Sequence, residues 1–159
     1  MSEPLAIELV DVAPVALAAV RRTTLRAELG RTIMTGLDAV YALLRSRQTP
    51  GLGHNVVVYR AGTGWRPDDT LQVEVGVQTP EPIAPEGEVL ALASPGGRAA
   101  TATHVGAYQT IGETTRAIRR WIVDQGLTPG VDWEVYGDWS DDETKLTTQI
   151  YFQVGEGEA

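Results

Sequence analysis

The feature that most constrains this chain is internal repetition. The segment TPGLGHNVVVY (49–59) has a partner in TPGVDWEVY (128–136), and VEVGVQT (73–79) has one in TQIYFQV (148–154). Upstream, a Thr-Ile pair opens a helical pattern twice, at Thr32-Ile33 and at Thr110-Ile111. Three blocks recur in the same order at offsets of 75–79 residues. A chain built this way folds as two copies of one supersecondary unit, because each copy needs a neighbour to bury its apolar face.

Periodicity supplies the content of the unit. Residues 5–12, 15–21, 55–60, 70–78, 88–94, 98–105, 132–137 and 146–154 read as strands, from alternation and from Gly/Pro punctuation. Residues 30–46 read as a helix with Ile33, Leu37, Val40, Tyr41 and Leu44 on one face, and 111–125 as a second with Ile111, Thr115, Ile118, Ile122 and Gln125. Thr110 and Glu113 have the spacing of a capping box, and Gly126 is placed to end the second helix. The expected fold is α+β: duplicated β-β-α-β-β (SHS2-like) units related by a pseudo-two-fold axis. They form a curved antiparallel sheet with both helices outside and a central ligand groove. One domain spans 1–159, with repeat 1 at about 5–79, a Pro- and acid-rich connector at 79–88 and repeat 2 at about 88–154. AGTGW (61–65) reads as a hairpin, DWSDDE (138–143) as an acidic loop, and GEGEA at the end as a frayed tail.

Composition excludes several functions. The chain has 159 residues and no cysteine, so thiol catalysis, disulfides and thiolate metal sites are out. A net charge of −8, with one lysine among thirteen basic residues, argues against direct nucleic-acid binding. No apolar run is long enough to span a membrane and no signal peptide is evident, which fits the cytoplasm. His54 and His104 are the only histidines and show no ligand spacing, so neither a metal nor a cofactor is expected.

The repeat also acts as a control. Tyr136 matches Tyr59, as a scaffold residue does, whereas Glu134 matches Val57 and Tyr151 matches Gly76. Glu134 is the anomaly: a carboxylate between Trp133 and Val135 in an aromatic strand. With Ile150, Phe152 and Val154 taken as the helix side of the last strand, and Trp133 and Val135 as the helix side of its neighbour, Glu134, Tyr136 and Tyr151 are expected to share the opposite face. Trp121 and Trp133 read as core residues, and Trp139 as an aromatic available for stacking.

The string PGGRAATATHVGAYQTIGETTRAIRRWIVDQG (95–126), followed by WEVYGDW and KLTTQIYFQV (145–154), resembles the gyrase-inhibitor-like (GyrI-like) small-molecule-binding domain. That domain also serves as the effector-binding part of AraC- and MerR-type multidrug regulators. The resemblance implies a ligand groove in which Glu134 contacts amphipathic, cationic or flat aromatic ligands, with Tyr108 and Tyr151 beside it and Tyr136 and Trp139 as further candidates. It implies a free-standing form, since strand residues begin by Leu5 where the regulators carry a helix-turn-helix domain. Two alternatives accompany it. One is a hydrolase of strained or toxic small molecules with Glu134 as general base and Tyr108 or Tyr151 as proton donor. The other is an inhibitor of a protein partner such as gyrase.

Overall fold

The computed structural model describes residues 5–61 and 66–156; the expected hairpin tip and the last three residues of the tail lie outside the described residues. Eight strands and two helices follow in the order β1 (Glu8–Val12), β2 (Ala16–Leu25), α1 (Leu29–Ser46), β3 (Asn55–Ala61), β4 (Thr70–Gln78), β5 (Leu90–Ala93), β6 (Gly97–Val105), α2 (Ile111–Asp124), β7 (Leu127–Tyr136) and β8 (Thr147–Glu156). The fold is α+β with antiparallel pairing, as expected. The chain forms two compact units, one of residues 14–94 and the other of residues 1–13 with 95–159.

In the first unit the strand order is β3-β4-β2-β5. Helix α1 lies on the face bearing Val20, Val57 and Val75: Val20 and Val57 both pair with Val75, and a Cβ at Gly36 of α1 would meet Val20 and Val75 at 3.1–3.2 Å. Val40, Leu43 and Leu44 of α1 are buried, close to the stripe read from periodicity. The helix starts within one residue of the expected position, so Thr32 sits inside it, and its hydroxyl pairs with that of Thr24 on β2 at 2.7 Å.

In the second unit the order is β1-β6-β8-β7. Helix α2 buries Ile111, Ile118 and Ile122 against Ala100 and Ala102 of β6 and Ile150 and Phe152 of β8. Gly126, at φ +75°, ends the helix as the sequence indicates. The capping box does not form. A 3-10 turn at Tyr108–Thr110 precedes α2, and the Thr110 hydroxyl donates instead to the Ala107 carbonyl at 2.9 Å. Local geometry at the turn thus competes successfully with the helix end for that side chain.

Strand pairing crosses between the two sequence halves: β1 pairs with β6 and β5 pairs with β2. The first strand of each half therefore adds to the unit made by the other half. Pro14, between β1 and β2, lies where the chain leaves one unit for the other.

The Gly76–Tyr151 asymmetry has a packing cause. Gly76 of β4 faces away from α1, and a Cβ there would sit 2.3 Å from the Ala18 carbonyl oxygen and 2.6 Å from the Ala19 side chain. Gly76→Ala is therefore expected to destabilise the protein by about 1–3 kcal/mol through overpacking. A urea titration checks this as a lowered midpoint with unchanged slope.

Candidate functional site

The geometry around Glu134 follows from the register of β7 on β8. Glu134 pairs with Ile150, Tyr136 with Thr148 and Asp132 with Phe152, whereas Trp133 pairs with Tyr151 and Val135 with Gln149. Directly opposed residues in antiparallel strands share a face. Ile150 and Phe152 belong to the core under α2, and Tyr136 packs against the same core. Glu134, Tyr136 and Asp132 therefore project on the helix side, and Trp133 and Val135 on the other. This reverses the facing expected from the sequence.

Glu134 retains only 5% of its accessible surface. The Tyr136 phenol donates to Glu134 Oε1 at 2.6 Å. A short charge-assisted bond of this kind partly replaces the water that burial removes. Tyr108, in the 3-10 turn ahead of α2, meets Tyr136 edge to face with ring centroids 5.5 Å apart and is itself 39% exposed. The structure thus brings Glu134, Tyr136 and Tyr108 together in one cluster.

Tyr151 does not join them. Its ring stacks on Trp133 on the opposite face of the sheet, at 4.9 Å and 9° between planes, and burial pushes its phenol above the ordinary value. Trp133, at 1% exposure, is a core residue as expected. Trp139 lies beyond the end of β7 and is 75% exposed.

Three features were not foreseen from the sequence. His104 is buried on β6 and ties the turn carrying Tyr108 to the sheet. Its Nδ1 pairs with the Thr114 hydroxyl at 2.7 Å and its Nε2 with the Ala107 carbonyl at 3.0 Å. The carbonyl can only accept, so Nε2 carries the proton and Thr114 donates to Nδ1 in the neutral ring. Asp132 is the second: burial, then the nearby Glu134 charge, pushes its carboxyl up to about 7, against the opposing pull of its own backbone N–H and Arg119. The signal was present, since Asp132 and Glu134 are two residues apart in one strand, but the bulge between Pro129 and Asp132 hides where regular pairing starts.

Glu74 of β4 is the third. It is also buried, at 5%, and Arg21 reaches one carboxylate oxygen at 3.3 Å and Arg60 the other at 3.0 Å. A carboxylate held by two guanidinium groups has its charge compensated within the fold, as buried charges require. It therefore serves architecture.

Among the described residues, no helix is long and apolar enough to cross a membrane. The chain belongs to the GyrI-like small molecule binding domain family, whose model matches residues 5–154. No curated protein matches its sequence.

Among solved structures, the C-terminal domain of EcmrR shares the fold at a TM-score of 0.74 and 17% identity, over 96% of this chain and 98% of that one. EcmrR is also similar in its DNA complex, with a TM-score of 0.78 and 18% identity over 96% of this chain. There this chain spans 58% of the EcmrR length. SAV2435 bound to tetraphenylphosphonium matches at a TM-score of 0.57 and 11% identity, over 94% of each chain. A hydrolase from Listeria innocua matches at a TM-score of 0.61 and 12% identity, over 94% of this chain and 91% of that one. At these identities the likeness is one of fold.

Proposed function

We propose that the protein captures amphipathic organic cations or flat aromatic ligands at the cluster of Glu134, Tyr136 and Tyr108. The observation that carries this reading is the burial of Glu134 on the face where its counterpart in the first unit is a valine, Val57, that is fully buried. A carboxylate in such a place loses hydration, and a bound cation restores what burial removed. A pair at 4 Å in an effective dielectric near 20 attracts by roughly 4 kcal/mol before desolvation. Tyrosine faces add about 0.5–2 kcal/mol by cation–π contact. These forces select for charge and apolar surface more than for shape, which suits a receptor with broad tolerance. Trp139, exposed just beyond β7, is the aromatic available to cover a bound ligand. The tetraphenylphosphonium ion of SAV2435 is a lipophilic cation of this type and is the natural first probe.

Glu134→Gln keeps the shape and the hydrogen-bond acceptor but removes the charge. Affinity for tetraphenylphosphonium or rhodamine 6G is expected to fall about 10- to 100-fold, or about 1.4–2.7 kcal/mol. Fluorescence titration of the dye, with the far-UV spectrum confirming the fold, measures it. Undiminished affinity removes Glu134 from the site.

The nearness of the Asp132 and Glu134 carboxyls on one face of β7 supports a second reading, hydrolysis of strained electrophiles, the more so given the Listeria hydrolase of similar fold. Glu134 takes a proton from water as that water attacks a ring carbon, the ring C–O bond breaks, and a phenol O–H of Tyr108 or Tyr136 protonates the departing oxygen. Turnover abolished in Glu134→Gln, on a substrate the variant still binds, distinguishes this reading from simple capture.

A further inference from the structure

Asp132 and Glu134 stand at alternate positions of β7, opposite Phe152 and Ile150 respectively. Alternate residues of a strand project from one face about 6–7 Å apart. Glu134 is buried and Asp132 is partly buried. Among the charges that act on Asp132 are Glu134 on its own strand and Arg119 on α2. Its neighbours on that face from β8 and β6, Phe152 and Ala100, carry none. Two carboxyls this close and this poorly hydrated resist double ionisation. A cation seated beside Glu134 cancels the repulsion and favours the charged form of both.

We propose that Asp132 is a second cation-binding carboxyl of this site, and that cation uptake beside Glu134 drives the Asp132 proton into solvent. The proposal rests on the cation-capture reading above. No bond to the ligand forms. The Asp132 O–H bond breaks, its electron pair stays on the carboxylate, and the proton passes to water or buffer. Binding that releases a proton strengthens as pH rises, until the empty site has already lost that proton. With the Asp132 carboxyl pushed up to about 7, affinity is expected to be about tenfold higher at pH 8 than at pH 6 and to level off above.

The test is calorimetric titration of the full chain with tetraphenylphosphonium chloride at pH 7, in two buffers of different ionisation enthalpy. The wild type should release about half a proton per ligand bound. Asp132→Asn should release almost none, and its affinity should vary little between pH 6 and 8. Equal proton release from the two proteins, or wild-type affinity that is flat over that range, overturns the proposal. A ligand-free check uses carboxyl NMR on Glu134→Gln. The Asp132 midpoint should fall toward the ordinary aspartate value, and an unchanged midpoint rejects the coupling. Failure of the wild type to bind tetraphenylphosphonium at all sinks the cation reading and this proposal with it. Binding without proton release sinks this proposal alone.

Discussion

Trp133→Ala is expected to lower stability by about 3–5 kcal/mol, the range for deleting a large buried aromatic side chain. The indole is almost wholly buried and lies flat on Tyr151 at 4.9 Å, so the substitution removes both its buried area and a stacked partner. A domain of this size has a total stability of about 5–15 kcal/mol, so much of the margin goes. Chemical unfolding followed by the far-UV signal measures the loss. The contrast is Trp139→Ala: at 75% exposure that change should stay within about 0.5 kcal/mol. Because Trp133 faces away from Glu134, any Trp133→Ala protein that remains folded should still bind the dye. A small cost, or a ligand effect at full stability, would show that the two faces of β7 have been assigned wrongly.

The second large effect depends on pH. Asp132 has a folded-state carboxyl raised from 3.8 to about 7, chiefly by burial and then by Glu134. The folded protein therefore holds this proton more tightly than the unfolded chain does. The stability that results is fully present below the unfolded value near 3.8 and is lost as pH rises through about 7. Asparagine carries no such proton. Asp132→Asn should accordingly match the wild type near pH 4 and exceed it at pH 8, by about 2–4 kcal/mol, the upper figure being the full linkage value of about 1.36 kcal/mol per pH unit. Urea midpoints for both proteins at pH 4, 6 and 8 test this. A difference that stays constant across the series would mean that Asp132 is ionised throughout and that the variant acts by packing alone.

Much of the fold could be read directly from the residues. Strand β4 was expected at 70–78 and runs Thr70–Gln78, because its apolar and polar residues alternate without interruption. The buried stripe of α2 is the one its periodicity indicates, apart from Gln125 beyond the helix end. The same sequence also contained a guide to the facing of β7. Glu134 corresponds to Val57, which pairs with Val75 on the α1 side; by the repeat, Glu134 should pair with Ile150 on the α2 side, and it does. Reading β7 by itself obscured this. Trp133 and Val135 make one side apolar, but Tyr136 and the environment of Glu134 make the other side nearly so. When both faces of a strand are buried, alternation no longer says which one meets the helix.

What the sequence by itself determined is local or repeated: the two helices and their inner stripes, the strands between them, the duplication, the family, and Glu134 as the residue out of place. Tertiary structure alone decided that β1 and β5 change partners between the units, that Tyr136 and Tyr108 rather than Tyr151 gather at Glu134, and that Asp132 shares its face. The physical reason is common to all three. Strand pairing and register are set by contacts between residues far apart in the chain, and shifting a strand by one position would exchange every side chain between its two faces.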